Sequence, residues 1–125
     1  MDQRLRHHER LASAAEFTRC YRHGRRVRTR YFTVYAYQRS ERPPRLGLAV
    51  GKTVGIAVVR NRVKRRLREL FRRHKALVPW GYDLFVRAGP ASAAAAYAAL
   101  EAAWNEAMSL LTSDNTQANP ESREA

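Results

Sequence analysis

Residues 58–75, VVRNRVKRRLRELFRRHK, concentrate the side chains best suited to gripping a ligand. Nine of them are Lys or Arg, and Glu69 is the only acid. Guanidinium groups are planar donors that fork onto phosphate oxygens and stack on bases. At about 100° per residue, Val59, Val63, Leu67, Leu70 and Phe71 fall on one stripe of a helix. Asn61, Arg65, Arg68 and Arg72 line up opposite, and Arg60, Arg62, Lys64, Arg66, Arg73 and Lys75 fill the flanks. A solvated helix usually alternates its charges. Here only Glu69 supplies counter-charge, to Arg66 and Arg73. Like charges this dense repel one another until a polyanion neutralises them, which points to nucleic acid.

Other chemistry is poorly represented. His7, His8, His23 and His74 lack metal-ligand spacing, and Cys20 is the sole cysteine. No Ser/His/Asp or Cys/His arrangement emerges. Glu16 reads as a helix cap, Glu69 as a helix pair and Asp83 as a strand opener beside a turn. No carboxylate cluster suggests a two-metal nuclease. Gly47, Gly51, Lys52 and Thr53 approach a P-loop, but the glycines are one residue too close and no βαβ pattern surrounds them. The chain is therefore expected to supply no catalytic group.

The 125 residues suffice for one domain with a real core. Net charge is +13 and the isoelectric point about 11.2. Residues 1–111 hold 23 of the 24 basic groups and 8 of the 11 acids, so the excess lies in the body. No signal-peptide pattern or membrane-length apolar run occurs, so a cytoplasmic location is expected.

The elements that must position the basic helix follow from pattern. Residues 1–12 form a basic arm, with Leu5 and Leu11 as anchors. Ser13 and Glu16 make a capping box for a helix over 14–23, with Gly24 in the αL position that ends it. Residues 31–38 alternate as a strand, with Phe32, Val34 and Ala36 on one face and Thr33, Tyr35 and Tyr37 on the other. Residues 45–50 form a second strand, with Leu46, Leu48 and Val50 inward. Its other face offers only Arg45, Gly47 and Ala49, leaving room for a ligand beside the tyrosines. A third strand spans 82–88, and Arg26, Val27 and Arg28 form a short extra one. Ser92 caps an alanine-rich helix reaching about Leu111, packed through Tyr97, Leu100, Trp104, Met108 and Leu111. Residues 112–125 lack bulky apolar groups and read as a disordered tail. The expected fold class is α+β, a two-layer sandwich with a mixed sheet and its helices on one face, in the order α-β-β-(β)-α-β-α.

The run Arg60-Asn61-Arg62-Val63-Lys64-Arg65-Arg66-Leu67-Arg68-Glu69 resembles the RNR signature of the protein subunit of bacterial ribonuclease P. The similarity continues through Ala15-Glu16-Phe17, Gly24, Arg30-x-Phe32-x-Val34-Tyr35, the stretch 45–52, Gly55-x-Ala57-Val58 and Gly81-Tyr82-Asp83, and covers roughly residues 4–111. The resemblance implies a left-handed βαβ crossover, against the general rule. It implies a holoenzyme whose RNA subunit is catalytic and uses Mg²⁺ to cleave the 5′ leader from precursor tRNA. Arg60, Asn61, Arg62, Lys64, Arg65 and Arg68 would meet the catalytic RNA. Phe17, Tyr21, Tyr35 and Lys52 would line a leader cleft between the first helix and the open sheet face. Thr53 and Ile56 depart from the family pattern, a basic residue being common at the first and a polar one at the second. The alternatives are a ribosomal-type structural RNA-binding protein, a membrane-surface protein using a basic amphipathic helix and, least supported, a self-sufficient metal nuclease.

Overall fold

The computed structural model describes residues 9–11, 13–39, 43–78 and 81–113. Four strands, β1 (Arg25–Arg28), β2 (Phe32–Gln38), β3 (Arg45–Ala49) and β4 (Tyr82–Ala88), form one mixed sheet in the order β1-β2-β4-β3. The β1–β2 and β2–β4 pairs are antiparallel, and β3–β4 is parallel. A parallel neighbour needs a crossover, which the basic helix α2 (Ala57–Arg73) supplies. The other helices are α1 (Ala14–His23) and α3 (Tyr97–Ser113). This is the expected α+β architecture, and Arg26, Val27 and Arg28 belong to the extra strand β1.

Alternation in β2 sorts side chains to two unlike faces. Phe32, Val34 and Ala36 join Leu46, Leu84 and Val86 in the main core, closed by Val63, Leu67, Leu70 and Phe71 of α2 and Leu100, Trp104 and Met108 of α3. Leu11, Cys20 and Tyr35 form a second cluster on the opposite face with Phe17, Tyr37 and Phe85. The single helix-covered face thus holds for α2 and α3 but not for α1, which lies across the other side.

Two local expectations change. Gly24 caps α1 in an extended conformation, φ −80° and ψ 162°, not αL. It is glycine because a Cβ would collide with the carbonyl oxygens of Cys20 and Ala36. Ser92 does not cap α3. It is buried, and its hydroxyl donates to the Gly89 carbonyl at 2.6 Å inside a short 3₁₀ turn, Pro90–Ala93. The capping box of α1 forms as expected: Glu16 N–H donates to Ser13 Oγ, and Ser13 N–H to Glu16 Oε1, each at 3.2 Å. α3 runs to Ser113, so the tail boundary at 112 falls inside the helix; residues 114–125 lie outside the described residues, as do 1–8 of the arm. Within the arm, Arg10 bridges Leu46, Leu11 N–H donates to the Leu46 carbonyl at 3.1 Å, and Glu9 pairs with Lys75. Residues 9–11 therefore line the outer edge of β3, with Leu11 buried as the expected anchor.

Candidate nucleic-acid interface

Two surfaces carry the candidate chemistry. The first is α2. It buries Val63, Leu67, Leu70 and Phe71 completely, which fixes the roll of the helix and turns its cationic side outward. Ile56 at its N-cap makes no side-chain cap, and the first turn holds no acid. The positive end of the helix dipole therefore adds to the charge of Arg60 and Arg62 rather than being offset.

The cationic residues divide by task. Arg60 Nε donates to the Gly55 carbonyl at 3.1 Å, tying down the start of the helix. Arg62 donates to Ala93 O and Arg66 to Ala95 O, each at 3.0 Å, so this flank of α2 holds the segment leading into α3. Arg73 reaches the Tyr97 hydroxyl at 3.1 Å and lies over its ring. His74 is half-buried, with Nε2 2.7 Å from Glu101 Oε2. Asn61 and Arg65 are exposed and Lys64 and Arg68 half-buried on the remaining side. Burial, then the neighbouring Arg10 and Arg65 guanidiniums, pull Arg68 below the ordinary arginine range. Cations from α2 and the N-terminal segment thus converge with like charge facing like charge. An incoming phosphate relieves that repulsion.

The second surface is the α1 face of the sheet. Tyr21 and Tyr35 lie 5.1 Å apart between ring centroids, Tyr35 and Phe85 5.7 Å, and Phe85 and Phe17 5.5 Å. These four rings make one continuous ladder from α1 through β2 to β4. The sequence brought out Phe17, Tyr21 and Tyr35; Phe85 is the member it missed, although its alternation with Leu84 and Val86 carries that signal. Tyr35 is 8% exposed and forms the floor, whereas Tyr21 is 51% exposed and presents its ring to solvent. The room expected over Gly47 is taken by the chain itself. A Cβ there would lie 2.5 Å from a Phe17 ring carbon and 2.9 Å from Leu11. Lys52 is exposed in the loop after β3.

Beside the ladder, on the same sheet face, lies a charge network that the sequence did not reveal. Asp83, fully buried on β4, accepts from Arg39 Nε at 2.5 Å and from Arg45 at 3.0 and 2.9 Å. Arg45 also meets Glu16 of the capping box at 3.0 Å. The hydrogen bond to Asp83 raises the Arg45 pKa, so the guanidinium is held charged. The network fastens the first turn of α1 to β3 and β4. Cys20 sits above it, its Sγ 3.7 Å from the Asp83 carbonyl, and burial pushes its thiol up to about 12. A thiol so placed stays protonated and unreactive.

The acids do not suit a protein-held metal. Among the described residues no three His, Cys, Asp or Glu side chains converge. Glu16 and Asp83, the acids nearest the ladder, are engaged by Arg45. The described residues thus offer no donor set that fits Mg²⁺. No helix among the described residues is long and apolar enough to cross a membrane.

A single α+β domain pairing a cationic helix with an aromatic sheet face is an RNA-binding protein in architecture. Comparison with known proteins narrows the class. The family described as Ribonuclease P matches residues 5–112. The ribonuclease P protein component of Acidothermus cellulolyticus is 43% identical over 105 residues, covering 82% of this chain and 88% of that protein. That of Thermobifida fusca is 36% identical over 122 residues, covering 91% and 83%. The Staphylococcus aureus RNase P protein superposes with a TM-score of 0.74 at 30% identity, over 82% of this chain and 94% of that one. The Thermotoga maritima protein does so with 0.72 at 27%, over 78% and 93%. The chain belongs to the family of bacterial ribonuclease P protein subunits, RNA-binding components of a tRNA-processing endoribonuclease.

Proposed function

We propose that this chain binds the RNA subunit of ribonuclease P through α2 and the 5′ leader of precursor tRNA through the α1 face of the sheet. The observation that carries this reading is the ring ladder Phe17–Phe85–Tyr35–Tyr21, which lies on the sheet face not covered by the dry core. Every base has a π-face, so stacking tolerates many leader sequences, as a subunit serving many precursors requires. Arg60, Asn61, Arg62, Lys64, Arg65 and Arg68 meet the catalytic RNA. Phe17, Tyr21, Tyr35 and Lys52 line the leader cleft, with Tyr21 the ring best placed to stack. Arg60 and Arg62 keep further guanidinium donors beyond those bonded to Gly55 and Ala93.

In this reading the RNA subunit carries the catalytic groups and would hold the Mg²⁺ that hydrolysis of the leader phosphodiester requires. The protein lowers the electrostatic cost of bringing leader and catalytic RNA together, so less Mg²⁺ suffices. The RNA-binding domain runs from residue 13 to the end of α3 at Ser113, preceded by the basic arm 1–12, and the protein acts in the cytoplasm, where precursor tRNA is processed. The test is precursor-tRNA cleavage by the matching RNA subunit at low Mg²⁺, with and without this chain. Restored cleavage supports the reading. RNA binding without any gain in cleavage would replace it with a structural, ribosomal-type role.

A further inference from the structure

We propose that Arg26, Arg28 and Arg87 form a phosphate track beside the ring ladder, fixing the path of a single RNA strand across the open sheet face. The inference rests on the leader-binding reading and extends it to residues outside the RNR helix. Strand register sets the geometry. On the α1 face one row runs Tyr37, Asp83, Arg45 across β2, β4 and β3. The next runs Arg26, Tyr35, Phe85, Gly47 across all four strands, and the third Arg28, Thr33, Arg87, Ala49. Their neighbours Val27, Val34, Val86 and Leu48 belong to the main core, which sends all three rows to the other side.

The first two rows are roofed by α1. Arg19 lies over Tyr37, Tyr21 against Tyr35, and Phe17 against Phe85. The third row stays open. Arg28 and Arg87 are exposed, and so is Arg26 at the near end of the ladder row. Among the described residues neither Arg28 nor Arg87 has an ion-pair partner, and the second and third rows contain no acid. With strands about 4.8 Å apart, Arg28 and Arg87 stand roughly 10 Å from each other across β2, far enough to take different phosphates. Thr33, the row's hydroxyl, sits between them. A strand with bases on the ladder therefore finds cations along its backbone side, the arrangement that single-stranded nucleic acid needs.

The experiment is a double variant, Arg28→Gln with Arg87→Gln, reconstituted with the RNA subunit. Affinity is measured for precursor tRNAs with long and one-nucleotide leaders and for mature tRNA, across a salt series. The expected result is about tenfold weaker binding of the long-leader substrate, little change for the other two, and a salt slope smaller by about 2. Unchanged long-leader affinity, with wild type still preferring precursor over mature tRNA, would overturn the track and leave the leader reading standing. Equal losses for mature tRNA would move these arginines to the tRNA body and also overturn the track. A wild-type holoenzyme indifferent to the leader would remove the leader reading and the track together.

Discussion

The two faces of the sheet are built from the same strands by opposite rules. The face under α2 and α3 is dry and mostly aliphatic, with Val34, Leu84 and Val86 fully buried beneath Leu67, Phe71 and Trp104. Its stability comes from removing apolar surface from water and filling the space densely. The face under α1 is aromatic and ionic. Rings contact one another in a line, a buried carboxylate is held by two arginines, and glycine stands where Phe17 crosses. The first face holds the molecule together, and the second keeps a surface in shape for something else. A sheet with one dry side can therefore spend its other side on polar and aromatic groups that would make a poor core.

Substitutions can break this contrast. The largest loss is expected from Trp104→Ala, which removes a fully buried ring packed 6.0 Å from Phe32. About 3–5 kcal/mol should disappear from the urea unfolding free energy. A loss below about 1 kcal/mol would deny that face its role as the core. Asp83→Asn comes next. It strips the charge shared by Arg39 and Arg45, and about 3 kcal/mol is expected to go. A near-neutral result would mean that water screens the network.

Gly47→Ala sharpens the comparison, since the added methyl meets the Phe17 ring and not the aliphatic core. We expect about 1–3 kcal/mol of destabilisation, with affinity for precursor tRNA falling more than for mature tRNA. Parallel losses would show that Phe17 only supports the fold. The smallest stability effect belongs to Arg68→Ala. Relieving repulsion with Arg10 and Arg65 should leave the melting temperature unchanged or slightly raised, while the salt slope of RNA-subunit binding falls by about 1. An unchanged slope would take Arg68 out of phosphate contact.

Much of this was legible in the residues themselves. The alternation of 31–38 separated Val34 from Tyr35, and the stripe from Val63 to Phe71 gave both the core side and the cationic side of α2. The capping box of Ser13 and Glu16 needs only neighbours three apart. What stayed hidden depends on partners far along the chain. Asp83 is an ordinary strand opener until β4 lies between β2 and β3, which brings Arg39 and Arg45 to it. Alternation puts Phe85 on the face opposite Leu84 and Val86, but only register sets it beside Tyr35. Gly24 fits an αL cap by sequence, and only the approach of the Ala36 carbonyl gives its actual reason. The position of α1 followed from the resemblance, which set a cleft between the first helix and the sheet, while pattern alone put every helix on one face.

The two edges of the sheet bear on how the protein behaves without RNA. An exposed edge strand is a template on which another copy can pair. At β3 the chain's own residues 9–11 occupy that template. At β1, whose sequence is Arg25-Arg26-Val27-Arg28, two exposed guanidiniums guard the other edge by repulsion. That guard consists of the same groups an RNA strand would neutralise, and it weakens as salt rises. Under the proposed track, colloidal behaviour and RNA binding draw on one set of charges. The free protein should stay dispersed at low ionic strength, self-associate more readily as salt screens β1, and recover solubility once RNA covers that edge.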